Sequence, residues 1–337
     1  MNAYYLGADL GATKTHVLIA TAAGEAVGFG QSGPGNHEVV GVDGFAYNLQ
    51  KAVKKALDSA GIEIEQIAGA GFGIAGYDWP SEYEMVSSVV GTLSIHAPLE
   101  LVNDAVPGIA AAAHEGWGIA VVSGTGCNCW GWDRTHKRIG HVTGCGPDFG
   151  EAGGASEMVY KSIQQVAYEY TRRGPATLLT QMYIQLTGTK DIEDLLSSLT
   201  INRELIDASA APLIFKAADQ GDAVASGIIT WAGSELGELV NCVVRQLDFQ
   251  SLAFDVVMLG SAFNGGDRLI QPMSAKIHSL APLANLVRFN NPPVIGGVVM
   301  GMEKGGLQVT PAIRTRLNES ISRFVPQDSA EASSLAP

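Results

Sequence analysis

The chain has 337 residues, beyond the usual span of one core, so two domains are expected. Hydrophobic residues make up 46% and charged residues 16%, which supports large buried cores and gives no reason to expect wholesale disorder. The net charge of −13 is spread along the chain, which speaks against nucleic acid as a partner but leaves room for a nucleotide held by backbone N–H groups and a metal.

The chain opens with Ala3 to Ala8 as an apolar strand, Asp9 to Lys14 as a turn, and Thr15 to Ala20 as a β-rich return. Ala22 to Glu25 makes a second turn, and Ala26 to Gly30 reads as a third strand, so an antiparallel meander is expected. Residues 43–60 carry a helical period in Phe45, Leu49, Ala52, Val53, Ala56 and Leu57. Ile67 to Ile74 is a buried strand, Glu82 to Leu93 a helix, Leu99 to Val102 a short strand, and Val106 to Ala113 a helix. Alternation of strand and helix implies parallel pairing after the meander.

At Ile119 to Val122 the opening pattern recurs: a buried strand, the turn Ser123-Gly124-Thr125-Gly126, then Cys127 to Trp132 as the returning strand. This internal repeat implies a duplicated domain. Ala155 to Leu247 is mostly helical, with Gly188 to Asp191 a loop, and Phe254 to Leu259 returns to strand before Gly260-Ser261. Residues 294–303 open as an apolar β-rich piece, with a glycine pair starting a final helix. The expected division is an N-terminal domain over 1–117, a C-terminal domain with a helical insert over 118–325, and a disordered Ser/Ala/Asp-rich tail over 326–337. No basic stretch and apolar run reads as a secretory signal, and no segment offers about twenty uninterrupted apolar residues, so a cytoplasmic location and no membrane partner are expected.

Three places carry chemistry. In Asp9-Leu10-Gly11-Ala12-Thr13-Lys14-Thr15 a glycine permits close backbone approach, while the hydroxyls and turn N–H groups can donate to phosphate oxygens. Asp9 could hold a metal-bound water. The plain alternative is a tight hairpin with an Asx-type aspartate. Ser123 to Gly126, with Asn128, is a second such turn, open to the same two readings. Asn103-Asp104 ends a short strand before a helix, where Asp104 is either a base for an attacking hydroxyl or a helix N-cap. Cys127, Cys129, Cys145 and Cys242 have neither the spacing of a zinc site nor the number of a disulfide scaffold, and two of them, in or beside a strand, read as small buried hydrophobes.

Taken in order, the Asp-Leu-Gly-Ala-Thr-Lys-Thr turn, the central Asn-Asp, the Ser-Gly-Thr-Gly turn, the late Gly260-Ser261 and the terminal Gly-Gly helix resemble the sugar kinase, heat-shock protein and actin superfamily. Within it the chain is most similar to the N-acetylglucosamine kinases and the related dehydratase-activator-type ATPases, from about Tyr4 to Gly305. The resemblance implies two ribonuclease-H-like, actin-like ATPase α/β domains with mixed sheets and a cleft between them, ATP and Mg2+ as cofactors, and a sugar or amino sugar as acceptor. A homodimer is also expected.

The resemblance further implies residue roles. Asp9 (through water to Mg2+), Gly11, Thr13, Lys14, Thr15, Gly124, Thr125 and Gly126 would surround the ATP phosphates, with Gly260 and Ser261 near the adenosine. Asn36, His37, Asn103, Asn128, Gly144, Cys145, Gly146 and Glu151 would line the sugar, and Asp104 would be the catalytic base. The chain departs from the family at Gly150-Glu151-Ala152-Gly153, where Gly-Asp-Glu-Gly is usual, and at Cys145, where the family has a tryptophan. An activator that drives electron transfer through an iron–sulfur cluster is the alternative activity. The Cys pair expected for its cluster is lacking. A sugar sensor without catalysis would not need Asp9, Asp104 and both turns.

Overall fold

The computed structural model describes residues 3–325 and divides into two compact units at Trp117/Gly118 and Arg288/Phe289. The expectation of a disordered tail over 326–337 falls outside the described residues.

The first unit opens on strands β1 (Tyr4–Leu10), β2 (Thr15–Thr21) and β3 (Ala26–Ser32), paired antiparallel. Helix α1 (His37–Ala60) leads to β4 (Ile67–Ile74), and α2 (Tyr83–Gly91) leads to β5 (Leu99–Asn103), which α3 (Val106–Ala112) follows. β4 pairs parallel with β1, and β5 parallel with β4, giving the order β3-β2-β1-β4-β5. Phe45, Leu49, Ala52, Val53 and Ala56 of α1 are buried in one core with Leu6, Ala8 and Leu10 of β1 and Phe72 and Ile74 of β4.

The second unit repeats this plan. β6 (Gly118–Ser123), β7 (Cys127–Trp132) and β8 (Ile139–His141) are antiparallel. Helices α4 (Ala155–Tyr170), α5 (Leu178–Thr187), α6 (Ile192–Ile201), α7 (Ala211–Asp219) and α8 (Ala223–Leu247) follow. β9 (Phe254–Leu259) then pairs parallel with β6, and β10 (Ala284–Arg288), after α9 (Asp267–His278), parallel with β9. The order β8-β7-β6-β9-β10 matches that of the first sheet strand for strand. These are two mixed five-stranded sheets of the actin-like ATPase plan.

The chain then returns to the first unit with α10 (Val294–Lys304) and α11 (Pro311–Ser320). Residues 289–325, expected with the second domain, therefore pack with the first. The reason is glycine. A Cβ on Gly7 of β1 would lie 2.3 Å from the Val298 nitrogen, and one on Gly71 of β4 would lie 2.3 Å from the Gly297 oxygen. α10 thus rests backbone against backbone on the sheet face opposite α1, since Gly7 alternates with the core residues Leu6 and Ala8.

Three expectations shift locally. β1 runs on through Asp9 and Leu10, because both pair in register with β2 and β4, so the turn shrinks to the residues from Gly11 to Lys14. α1 gains a first turn from His37 ahead of the segment read over 43–60, the two parted by a break at Gly41, whose φ of 71° no right-handed helix contains. Val294 and Ile295, read as β-rich, belong to α10.

Candidate functional site

In the first unit the candidate side chains gather where β1, β4 and β5 end. Asp9 is the register partner of Gly73 in β4. A Cβ on Gly73 would meet the Pro107 side chain at 2.4 Å and the Asp104 Cα at 3.4 Å. Gly73 is thus the spacer that lets the strand carrying Asp9 and the segment carrying Asp104 approach. Both aspartates keep a partly exposed edge. Burial raises the Asp104 carboxyl from 3.8 to about 7; repulsion from Asp9 adds to this, and backbone N–H groups oppose it. Burial likewise raises Asp9 to about 7, opposed by the positive charge of Lys14.

Asp104 is not an N-cap. α3 starts at Val106 with Ala105 at the cap position, and no side chain caps it. The Asn103 Oδ1 instead accepts from the Ala105 N–H at 2.9 Å, and its Nδ2 donates to Asp78 at 2.8 Å. Asn103 is buried and pins the strand end that carries Asp104. Asp78 was not singled out in the sequence; it lies in a loop with no motif around it.

The first turn closes with the Gly11 N–H donating to the Lys14 carbonyl at 2.9 Å, and Ala12, Thr13 and Lys14 are exposed. Thr15 is not at this tip: it is fully buried, with its hydroxyl unpartnered. Asn36 is the N-cap of α1, its Oδ1 accepting from the Glu38 N–H at 2.8 Å. The His37 Nε2 lies 4.0 Å from Glu82, and its buried Nδ1 has no partner. The amide oxygen of Asn36 is therefore engaged locally, while its Nδ2 reaches Glu38 only at 3.4 Å.

In the second unit the turn Gly124-Thr125-Gly126 closes with the Gly124 N–H donating to the Gly126 carbonyl at 2.9 Å, and Thr125 is exposed. Two other segments meet it. The Ala155 and Ser156 N–H groups at the start of α4 donate to the Gly124 and Thr125 carbonyls, both at 2.9 Å. A Cβ on Gly260 would lie 2.2 Å from the Ser123 oxygen, and Gly260 has a φ of 102°. A Cβ on Gly154 would fall 2.4 Å from the Gly126 carbon. The exposed Ser261 follows Gly260 directly. The turn, the α4 start and the β9 end thus form one glycine-built rim, of which Gly154 was the part not read from the sequence. Asn128 uses its Oδ1 on the Cys129 N–H at 2.8 Å.

The loop after β8 holds Gly144 and Gly146 at φ values of 74° and 71°, with Cys145 exposed between them. Glu151 is buried. Its Oε1 accepts from the Thr143 N–H at 2.6 Å, while its Oε2 has no partner. Cys127 and Cys129 lie close by. Burial pushes the Cys127 thiol up to about 12, with the charges of Glu157 and Glu151 adding to it, and burial also holds the Cys129 thiol well above the usual thiol range. All four cysteines are free, and no cluster of three or more His, Cys, Asp or Glu side chains suited to a metal occurs among the described residues. Among those residues no helix is long and apolar enough to cross a membrane.

The chain is 25% identical over 301 residues to an N-acetylmuramic acid/N-acetylglucosamine kinase of Clostridium acetobutylicum, covering 88% of this chain and 97% of that protein. It is 25% identical over 315 residues to an N-acetyl-D-glucosamine kinase of Dictyostelium discoideum, with the same coverage. A crystal structure from Chromobacterium violaceum, assigned as an N-acetylglucosamine kinase, superposes with a TM-score of 0.63 at 19% identity, over 88% of this chain and 98% of that one, and shows the same fold. The profile of the BadF/BadG/BcrA/BcrD ATPase family matches residues 6–301, both sheets and the helices between them, and the chain belongs to that family.

Proposed function

We propose that the chain is an ATP-dependent sugar kinase that transfers the γ-phosphoryl group to the 6-hydroxyl of a neutral hexose, N-acetylglucosamine first and glucose second. The observation that carries this reading is the Asp9–Asp104 pair, two carboxylates raised to about 7 with their edges partly open. A base for an alcohol works best when its pKa lies near the operating pH, which is where burial and Asp9 hold Asp104. The names of the relatives support the sugar as acceptor.

In this reading Asp104 takes the proton of the sugar hydroxyl as that oxygen bonds to the γ-phosphorus and the bond to the ADP oxygen breaks. The products are a sugar 6-phosphate and ADP. Asp9 offers a hard oxygen donor suited to Mg2+ through water. When bound, Mg2+ neutralises phosphate charge. The exposed N–H groups and hydroxyls of Thr13 and Thr125 are the proposed phosphate donors, and Gly260-Ser261 the adenosine neighbours. Asn36, His37, Asn128, Cys145 and Glu151 are the proposed sugar lining, with Glu151 in the role of the family aspartate.

An ADP-release assay over a panel of neutral hexoses, amino sugars and unrelated alcohols tests the reading. ADP formation should depend on a hexose, and Asp104→Asn should lower kcat by roughly a hundredfold or more with ATP still bound. Sugar-independent ADP release, or near-normal turnover by the variant, would overturn it.

A further inference from the structure

The second unit contains a cavity of about 520 Å³ between α4, α8 and the loop before α4. Tyr160, Lys161 and Gln164 face it from α4, Trp231 and Glu235 from α8, and Glu151 from the loop. These positions recur three and four apart on each helix, so one face of each is turned to the cavity. The volume falls in the range of roughly 300–1,000 Å³ typical of small-molecule sites, and exceeds what a single pyranose ring fills.

Its chemistry is specific. The Lys161 ammonium sits 4.2 Å over one face of the Trp231 ring, and both side chains line the cavity. Tyr160 is 62% exposed, an aromatic side chain left uncovered beside it. The amide of Gln164 and the carboxylate of Glu235 can pair with hydroxyl and amide groups. The charged groups on the wall are the carboxylates of Glu151, Glu157 and Glu235 against the one ammonium of Lys161. That balance opposes an anionic ligand and favours a neutral one. Aromatic walls for C–H faces, with amide and carboxylate partners for hydroxyls, suit a saccharide ring.

We propose that this groove holds a second, uncharged sugar ring of the acceptor, so that the preferred substrate is a neutral glycoside or disaccharide of an N-acetylhexosamine, with its 6-hydroxyl free. This rests on the kinase reading through Glu151, which lines the cavity and is the carboxylate that reading gives to the acceptor. The buried Glu151 has one oxygen committed to Thr143 and one without a partner.

The test compares N-acetylglucosamine with di-N-acetylchitobiose, by titration calorimetry without ATP and by product formation with it. The disaccharide should bind more tightly and show a kcat/KM at least roughly tenfold higher. Trp231→Ala and, separately, Tyr160→Ala should bring the two substrates close to equal, with the thermal melt of each variant taken as evidence of folding. Tyr160 is a surface side chain, so its variant keeps the test open if loss of Trp231 disturbs α8. Equal binding of the two sugars by the unaltered protein, or a preference that survives both variants, overturns the groove proposal and leaves a monosaccharide kinase standing. Disaccharide binding that both variants weaken, with no sugar phosphorylated, supports the groove as a saccharide site and overturns the kinase reading instead.

Discussion

Asp9 and Asp104 are held at a cost that has a definite sign. Each is raised from 3.8 to about 7, so the fold favours the protonated form. The stability this gives is full below about pH 4 and is lost as pH rises through about 7. Asp104→Asn should therefore stabilise the ligand-free protein by about 2 kcal/mol at pH 8 and by much less at pH 5. Thermal melts at the two pH values measure this; an equal shift at both would contradict the desolvated pair. The same variant abolishes the proposed base, so stability and activity should move in opposite directions, and turnover of the unaltered protein should rise with pH through about 7. Glu151 gives a second residue-scale prediction. Glu151→Gln keeps an acceptor for the Thr143 N–H and removes the charge, so it should raise the sugar KM by roughly tenfold and leave the ATP KM nearly unchanged. Should it weaken ATP instead, Glu151 belongs with the phosphates. The departures read in the sequence, Glu151 and Cys145, are the places where the proposed sugar wall differs from the pattern the chain resembles.

At the scale of elements, the seat of α10 is the feature that most constrains the first unit. Gly297 and Gly301 bring the helix against Gly7, Gly69 and Gly71, where an added Cβ would fall 2.0 to 2.5 Å from backbone atoms of the helix. Backbone cannot yield as a side chain tip can. Gly71→Ala should cost about 3 kcal/mol, the scale of overpacking a tight core, in denaturant unfolding; a change within 0.5 kcal/mol would show that the helix can lift away. This helix also shows where sequence reading stops. It is buried on all sides, so it has no polar face, and its Val294-Ile295 start looked like strand. α1, by contrast, has a buried stripe and an exposed one, and its period was legible from Phe45 onward. The elements that went unread are of a different kind. β8 has three residues, β10 is an edge strand with mixed burial, and α9 carries Pro272 in its interior. α11 does have the start signal Thr310-Pro311, but no apolar stripe to extend it.

At the scale of the molecule, the two glycine-hydroxyl turns announced the duplication, and each hairpin does occupy the same place in its sheet, between the central strand and its antiparallel neighbour. What they could not announce is that the first unit is discontinuous, leaving at Trp117 and returning at Phe289. That return is dictated by glycine contacts between residues some 290 positions apart, such as Gly7 with Val298, which no local pattern encodes. The candidate site was legible as residue types at strand ends; the partners that hold them, Asp78 on Asn103 and Gly154 against the second turn, were not, because they lie in loops without a period.

The chain belongs to a family of ATPases, so whether the γ-phosphate passes to a sugar or to water is the deciding quantity. Phosphorus NMR of the protein with ATP, Mg2+ and N-acetylglucosamine or its disaccharide follows it directly. A phosphomonoester of the sugar should rise in step with ADP and be lost with Asp104→Asn. Inorganic phosphate rising in step with ADP, with no phosphomonoester and no dependence on sugar, would contradict the kinase reading.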